Sequence, residues 1–281
     1  MQLDNGIIKA EISSHGAELK SAIKNDREYM WCADPEYWGR TSPVLFPIVG
    51  GLKDKRYIFG GKEYPMGQHG FARDCDFELK ASDDTSAVYI LKSNEDTKKK
   101  YPFDFELEIG YRLEGSSIAV SWRVINRGTD KMYFSIGAHP AFNLKDGVNY
   151  FIFDTDSPIK YKLLGENGLL DKYTEYSLEN KGGAEIVKGM FDKDALVVED
   201  NQAHEVSLCD SDKQPYVKVS FDAPLFGLWS PAGKNAPFVC IEPWYGRCDG
   251  SDFDGTLEER DYCMTLEAGC EFYTEYKIEL I

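Results

Sequence analysis

Residues 103–124, with the sequence FDFELEIGYRLEGSSIAVSWRV, set the pattern that recurs along the chain. From Phe103 to Leu113 every second side chain is apolar, and most of the positions between them are polar. This period of two predicts a half-buried β-strand. After a turn at residues 114–116 the alternation resumes, at Ile118, Val120, Trp122 and Val124. The whole stretch therefore predicts a β-hairpin.

The same kind of pattern extends outward in both directions. Short apolar runs bounded by Gly, Asp, Asn and Ser occur at residues 7–8, 57–59, 88–91, 195–198, 217–221 and 238–241, and the C-terminus alternates again at Tyr276, Ile278 and Leu280. Helical periodicity over three turns is missing almost everywhere. Many short strands without intervening helices predict an all-β sandwich or barrel. No linker rich in Pro, Gly or Ser divides the chain, so we expect one domain over residues 1–281.

Charge and cysteine content narrow the compartment and the partners. The 281 residues carry a formal net charge of -16, and a field of that sign repels nucleic acids and anionic membranes, so we expect neither as a partner. Seven cysteines, none in C-x-x-C spacing, predict free thiols rather than disulfides or a zinc knuckle. The N-terminus lacks a signal peptide and no apolar run reaches transmembrane length, which favours a cytoplasmic location.

The signatures of several enzyme classes are missing from the sequence. It has no G-x-x-x-x-G-K-[ST] or G-x-G-x-x-G nucleotide motif, no G-x-S-x-G hydrolase elbow and no H-E-x-x-H zinc motif. Residues 250–255 match the middle of a calcium loop, but Gly250 stands at its first ligand position and flanking helices are not predicted. We expect an acidic surface loop there, and no metal site.

Four segments interrupt the strand pattern with polar groups among small and aromatic residues: 38–47, 67–74, 135–143 and 239–246. His69 and His139 lie where strand patterns meet small-residue turns, and imidazole suits proton transfer near neutral pH. Glu242 has apolar neighbours, and desolvation raises a carboxyl pKa toward that of a general base. Trp38 and Trp244 are aromatic groups that can stack on a pyranose. The alternatives are structural histidines and a Glu242 carboxylate paired with an arginine.

Together these segments resemble the aldose 1-epimerase (galactose mutarotase-like) family, in particular its LacX-like branch. The resemblance covers essentially the whole chain. It is carried by the arginine segment that ends in Phe46-Pro47, by His69-Gly70, by the sequence GAHPAF at residues 137–142 and by Glu242-Pro243. The family implies a large antiparallel β-sandwich, the galactose mutarotase-like supersandwich, with a sugar bound in a groove on one concave face. It also implies that no cofactor is needed.

The resemblance further implies an activity and a role for particular residues. The activity is interconversion of the α and β anomers of an aldohexose by ring opening and closure. Glu242 would take the proton from the anomeric hydroxyl, and His139 would protonate the ring oxygen. His69 would hydrogen-bond the sugar and help to polarise the ring oxygen. Arg40 would hold sugar hydroxyls, and Asp194 would bind the substrate.

Three other functions remain open at this stage. A hexose-6-phosphate 1-epimerase would need basic side chains at the phosphate, for which Arg40, Arg73 and Arg247 are candidates. A non-catalytic carbohydrate-binding protein can use the same scaffold, because a fold does not guarantee turnover. A glycoside hydrolase would need a second carboxylate across the bond. The expected partner is thus a sugar or sugar phosphate, and an exposed edge strand could support a homodimer.

Overall fold

Short antiparallel strands dominate the computed structural model, which describes residues 1–281 apart from the side chain of Glu166. In chain order the strands are β1 (Gln2–Asp4), β2 (Ile8–Ile12), β3 (Leu19–Lys24), β4 (Arg27–Glu28), β5 (Val44–Leu45), β6 (Arg56–Phe59), β7 (Lys62–Pro65), β8 (Glu78–Ser82), β9 (Ser86–Lys92), β10 (Phe105–Glu114), β11 (Ser117–Asn126), β12 (Met132–Phe134), β13 (Ile136–Ala138), β14 (Ala141–Asn143), β15 (Tyr150–Phe153), β16 (Ile159–Tyr161), β17 (Tyr176–Leu178), β18 (Ala184–Glu185), β19 (Leu196–Val198), β20 (Glu205–Cys209), β21 (Pro215–Phe221), β22 (Leu225–Trp229), β23 (Phe238–Tyr245), β24 (Met264–Leu266) and β25 (Glu271–Leu280).

Helices are few and short. Helix α1 (Glu95–Lys98) begins at a capping box, in which the Asn94 side chain accepts hydrogen bonds from the backbone N–H groups of Asp96 and Thr97. Four 3-10 turns complete the helical structure: Lys53–Lys55, Ala72–Asp74, Glu166–Gly168 and Leu257–Glu259. Within the described residues, no helix combines the length and apolarity needed to cross a bilayer.

Two large sheets organise the fold. The first has nine strands in the order β18-β15-β20-β21-β25-β11-β10-β9-β8. The second has the order β19-β22-β23-β13-β5, and β14 also pairs with β23. The N-terminal strands β1 to β4 form a separate four-stranded sheet. Ile109 of the first sheet and Ile241 of the second belong to the same buried apolar cluster, so the large antiparallel β-sandwich expected from the sequence is confirmed.

The predicted hairpin forms from β10 and β11. Their register places Tyr111 opposite Val120, and the chain turns through Gly115 at a φ of 57°. The burial of β10 exceeds a simple alternation, because Glu108 is buried as well. Lys80 donates a hydrogen bond of 2.6 Å to the Glu108 carboxylate. This contact offsets the cost of burying the charge.

Candidate active site

Strand β23 carries chemistry on one face and core packing on the other. Its odd-numbered side chains Val239 and Ile241 join the main core, whereas the even-numbered Cys240 and Trp244 join two smaller clusters on the opposite face. The period of two therefore points Glu242 away from the main core. Its side chain is only 1% exposed. The backbone that carries Glu242 is held from both sides, because β23 pairs with β13 and with β22.

His139 lies next to Glu242, at the end of the neighbouring strand of the same sheet. It directly follows β13, the antiparallel neighbour of β23, and its Nε2 atom lies 3.4 Å from Oε1 of Glu242. Trp38 stacks on the imidazole with ring centroids 4.7 Å apart, and Trp229 meets it edge-on at 5.1 Å. The two indoles fix the orientation of the ring and keep it in an apolar setting.

His69 approaches the pair from a loop. Its backbone φ is 65° and that of Gly70 is 69°, a left-handed pair that brings Gly70 beside Phe46 in an isolated parallel bridge. The Nδ1 atom of His69 accepts a hydrogen bond of 3.1 Å from the backbone N–H of Gly50. Neutral His69 therefore carries its proton on Nε2. The rings of His69 and His139 lie 5.7 Å apart, nearly perpendicular to each other.

Burial governs the protonation of these three groups. It raises the pKa of Glu242 well above the ordinary value, the charge of Asp194 adds to the rise, and the Trp244 indole opposes it. Burial, reinforced by Arg73, lowers the pKa of His139 to about 3. Burial also lowers the pKa of His69, as do charge on His139 and Arg73. Burial thus favours the uncharged forms of both groups, a protonated carboxyl group on Glu242 and a neutral imidazole on His139.

Several buried polar atoms of the site have no hydrogen-bond partner among the described residues. They are both carboxyl oxygens of Glu242, Nδ1 of His139, Nε1 of Trp244 and Nε of Arg73. The Trp244 N–H stabilises charge on Glu242 from nearby without the geometry of an ordinary hydrogen bond. Buried polar groups are nearly always paired in folded proteins. Their concentration at one point indicates a place where a polar ligand completes the structure.

Two glycines hold the Trp244 ring against the sheet. Gly137 of β13 lies opposite Trp244, and a Cβ atom there would come within 2.6 Å of Cδ1 of the indole. A Cβ atom on Gly227 of β22 would overlap the other end of the ring. Trp244 can therefore lie flat across both neighbouring strands only because these positions have no side chain. Its ring forms part of the floor of the cavity.

A cavity of about 200 Å³ opens over this floor. Its wall consists of Trp38, Val49, Gly50, Gln68, His69, Arg73, His139, Leu164, Asp194, Ala195, Val197, Trp229, Glu242, Trp244 and Cys248. This volume is below the roughly 300–1,000 Å³ of sites for drug-sized ligands, and it suits a smaller molecule. The mixture of indole faces with a few convergent polar groups is typical of sites that bind sugars.

Five of the six residues predicted from the sequence line this cavity, and Arg40 does not. The five are Glu242, His139, His69, Asp194 and Trp244. Asp194 reaches the cavity from a turn with a φ of 69°, just before β19. Arg40 lies outside, where it donates a hydrogen bond of 2.7 Å to Asp74. Its charge still acts on both histidines.

The basic side chain in the cavity wall is Arg73. It lies in the predicted 67–74 segment and donates a hydrogen bond of 2.8 Å to the carbonyl of Gln68. Its buried Nε has no hydrogen-bond partner in the described part of the chain and lies 3.9 Å from Oδ2 of Asp74. Gln68 and Trp38 also belong to segments that the sequence singled out. Trp229 carried no signal, because it ends an ordinary apolar strand and reaches His139 only through the pairing of β22 with β23.

A pairing of Glu242 with Arg247 and a phosphate contact at Arg247 do not match the geometry. Arg247 does not pair with Glu242; it is buried with Nε 2.5 Å from Glu199 and Nη2 2.6 Å from Asp261. Its guanidinium is therefore occupied and does not line the cavity as a phosphate contact. In the acidic 250–255 loop, Asp252 contacts the Lys172 ammonium at 3.0 Å, in agreement with the acidic surface loop expected there.

Comparisons with known proteins identify the family of this chain. A family model described as aldose 1-epimerase matches residues 1–278. The plasmid-encoded protein LacX of Lactococcus lactis subsp. lactis is 33% identical, in an alignment that covers 92% of each chain. A galactose mutarotase related enzyme from Lactobacillus acidophilus superimposes with a TM-score of 0.93 at 37% identity, over 100% of this chain and 97% of that one.

A galactose mutarotase-like protein from Lactobacillus casei gives a TM-score of 0.94 at 28% identity, over 100% of this chain and 99% of that one. The similarity extends through every strand that supports the cavity, and it confirms the resemblance inferred from the four segments. The chain belongs to the aldose 1-epimerase family.

Proposed function

We propose that this protein interconverts the α and β anomers of a free aldohexose by acid–base catalysis. The observation that carries the proposal is the contact between Nε2 of His139 and Oε1 of Glu242, 3.4 Å long and buried in the cavity wall. In a pyranose the anomeric oxygen and the ring oxygen are bonded to the same carbon. An acid and a base that act on them must therefore lie side by side, as these two groups do.

The reaction needs a base at the anomeric hydroxyl and an acid at the ring oxygen. The reactive state requires that the carboxyl proton of Glu242 first passes to His139 when the sugar binds. The Glu242 carboxylate then takes the proton from the anomeric hydroxyl, a carbonyl forms at C1, and the bond from C1 to the ring oxygen breaks. His139 protonates the departing ring oxygen. Rotation about the C1–C2 bond presents the other face of the carbonyl, and the reverse proton transfers close the ring as the other anomer.

The remaining cavity groups position the sugar in this scheme. Neutral His69 donates from Nε2 to a sugar oxygen, because its Nδ1 already accepts the Gly50 N–H. Asp194 accepts hydrogen bonds from hydroxyl groups and Arg73 donates to them. Trp38 and Trp229 enclose His139 and exclude water from the proton transfers. Trp244 supports the carboxyl group from below.

Polarimetry or NMR of freshly dissolved α-glucose and α-galactose tests this activity. Because free sugars mutarotate spontaneously, the enzyme must accelerate the approach to equilibrium in proportion to its concentration, above a blank with heat-denatured protein. If neither sugar reacts faster than the blank while sugar phosphates do, the free-sugar proposal is wrong. Sugar binding without acceleration of either class would instead identify a carbohydrate-binding protein.

Arg73 supports a second candidate, a hexose phosphate as the substrate. Its guanidinium lines the cavity, and Arg40 lies close enough for both charges to lower the pKa of His139. A guanidinium in the wall of a small cavity favours an anionic group even in a chain with a net charge of -16, whereas the charge of Arg40 is paired with Asp74. Charge-assisted hydrogen bonds from arginine to phosphate are stronger than neutral ones.

Arg73→Gln distinguishes the two substrate classes. If the substrate is phosphorylated, the variant is expected to lose roughly 10–100-fold in kcat/KM for the sugar phosphate, because one charge-assisted hydrogen bond contributes about 1.5–3 kcal/mol. With a free hexose the loss is expected to be smaller. Arg112→Gln, which changes an exposed arginine on β10, is the matched control. Equal losses for the free and the phosphorylated sugar would exclude a phosphate contact at Arg73.

A further inference from the structure

Cys240 extends the Glu242–His139 pair into a cluster of three metal-binding side chains. It lies two residues before Glu242 on β23 and so points to the same face of the sheet. One ligand atom from each of His139, Cys240 and Glu242 lies within 4.8 Å of the other two. All three side chains are buried. The sequence spacing could not reveal the cluster, because His139 comes from the connection between β13 and β14, about 100 residues earlier in the chain.

The cluster has unfilled coordination capacity. Both carboxyl oxygens of Glu242 and the Nδ1 atom of His139 lack a hydrogen-bond partner among the described residues. A partly satisfied group of buried donors and acceptors is unfavourable unless something binds there. The carboxyl group also borders the cavity, which provides a path for a small ion from solvent.

The donor set selects the kind of ion. One imidazole nitrogen, one thiolate and one carboxylate suit zinc and similar transition metals, whereas magnesium and calcium prefer oxygen alone. Ligand atoms around a tetrahedral zinc ion lie about 3.5 Å apart. The His139–Glu242 contact of 3.4 Å already has this spacing. The distances to Cys240 are at most 4.8 Å, so each needs to shorten by at most about 1.3 Å. The fourth position would face the cavity.

We propose that a divalent cation of the zinc class binds to His139, Cys240 and Glu242 and thereby inhibits the enzyme. Binding releases the proton of the thiol and the proton of the carboxyl group to solvent, and His139 binds as neutral imidazole. The bound ion occupies the lone pairs of Glu242 and His139 to which the transferred protons would bind in ring opening. The inhibitory part of this inference rests on the proposed function. The coordination itself does not.

Co²⁺ is a spectroscopic probe for the proposed site, because cobalt bound to a thiolate gives an intense charge-transfer band in the near ultraviolet. The titration uses protein stripped of metal, in a background in which the exposed Cys32 and Cys270 are both replaced by serine. We expect one equivalent of Co²⁺ to produce the band. Cys240→Ala is expected to lose it and to weaken Co²⁺ binding by at least about 10–100-fold.

Cys209→Ala is the matched control, since Cys209 is equally buried but lies on β20 of the other sheet. It is expected to keep the band. A band that survives in Cys240→Ala, or that disappears in Cys248→Ala instead, would place the thiolate elsewhere and overturn the proposal. If Cys240→Ala does not fold, Cys240→Ser provides the same comparison with a smaller change in volume.

Inhibition is measured separately with Zn²⁺, and the metal-free rate of each protein is its own reference. We expect Zn²⁺ to remove the acceleration of mutarotation in the background protein and to act much more weakly on Cys240→Ala. The cobalt band without any mutarotase activity would refute the proposed function but retain the metal site. Activity that is insensitive to Zn²⁺, in a protein without the band, would refute the metal site alone.

Discussion

Glu242→Gln is expected to reduce the enzyme-dependent rate of mutarotation by about 10²–10⁴-fold, because it removes the proton acceptor of the proposed mechanism and preserves the shape of the side chain. His139→Asn is expected to have a loss of similar size through the acid. Sugar binding should persist in both variants, since Arg73, Asp194 and His69 remain. Polarimetry gives the rate, and saturation-transfer NMR gives the binding. Glu242→Gln with the wild-type rate would show that the base lies elsewhere.

The same substitution is expected to raise the free energy of unfolding. Burial raises the pKa of Glu242 in the folded protein, so folding at neutral pH requires uptake of a proton or burial of a charge. Protonated Glu242 therefore costs no stability below the pKa of the carboxyl group in the unfolded chain, about 4.3. The free energy of unfolding decreases as the pH rises from that value toward the pKa of Glu242 in the folded protein. The advantage of Gln should therefore grow from about pH 4 upward, as thermal unfolding at several pH values would show.

Glu199→Gln is the matched contrast for that measurement. Glu199 is also buried, but its carboxylate accepts a hydrogen bond of 2.5 Å from Nε of Arg247 and another from Lys162. Neutralising it leaves a buried guanidinium with less compensation, and we expect a loss of stability. A loss for both variants would mean that Glu242 is ionised and compensated in the folded protein.

Gly227→Ala is expected to destabilise the fold by about 1–3 kcal/mol and to lower the melting temperature by roughly 2–10 °C. The added methyl group would overlap the Trp244 indole, a rigid ring that Gly137 confines on its other side. The ring must move, and Glu242 lies two residues away on the same face. Misplacement of a catalytic group by about 1 Å can cost around 100-fold in rate, so activity should fall as well.

Gly67→Ala is the control for this substitution. Gly67 lies in the 67–74 segment beside the cavity, yet a Cβ atom there has nothing within 4 Å and its φ is not left-handed. We expect unchanged or slightly higher stability and normal activity. If Gly227→Ala has as little effect as Gly67→Ala, the Trp244 ring is not confined between the two strands in solution.

The fold was predictable because its signal is local. A period of two over residues 103–124 identifies β10 and β11, and the turn at Gly115 sets their register. The burial of Glu108 was not predictable, since it depends on Lys80 from β8, which is not adjacent to β10 in the sheet. Alternation shows which side chains share a face, but not what covers that face.

The site was predictable where chemistry and local sequence coincide. Glu242 stands out as a carboxylate within an apolar strand, and His139 as an imidazole in a small-residue turn. The choice between Arg40 and Arg73 could not be made in this way, because Asp74 binds Arg40 from a segment more than 30 residues later in the chain. Trp229 and Cys240 acquire their significance only when β22, β23 and β13 are paired.

The packing of Trp244 over Gly137 and Gly227 also has a genetic consequence. The residues at these three positions, on three different strands, are expected to change together in evolution, because none can change size independently. A smaller residue at position 244, as in Trp244→Leu, should make room for alanine at position 227 and restore stability that Gly227→Ala loses. A search for second-site suppressors of Gly227→Ala should therefore recover substitutions at codon 244, and relatives with a bulkier residue at either glycine should lack the tryptophan.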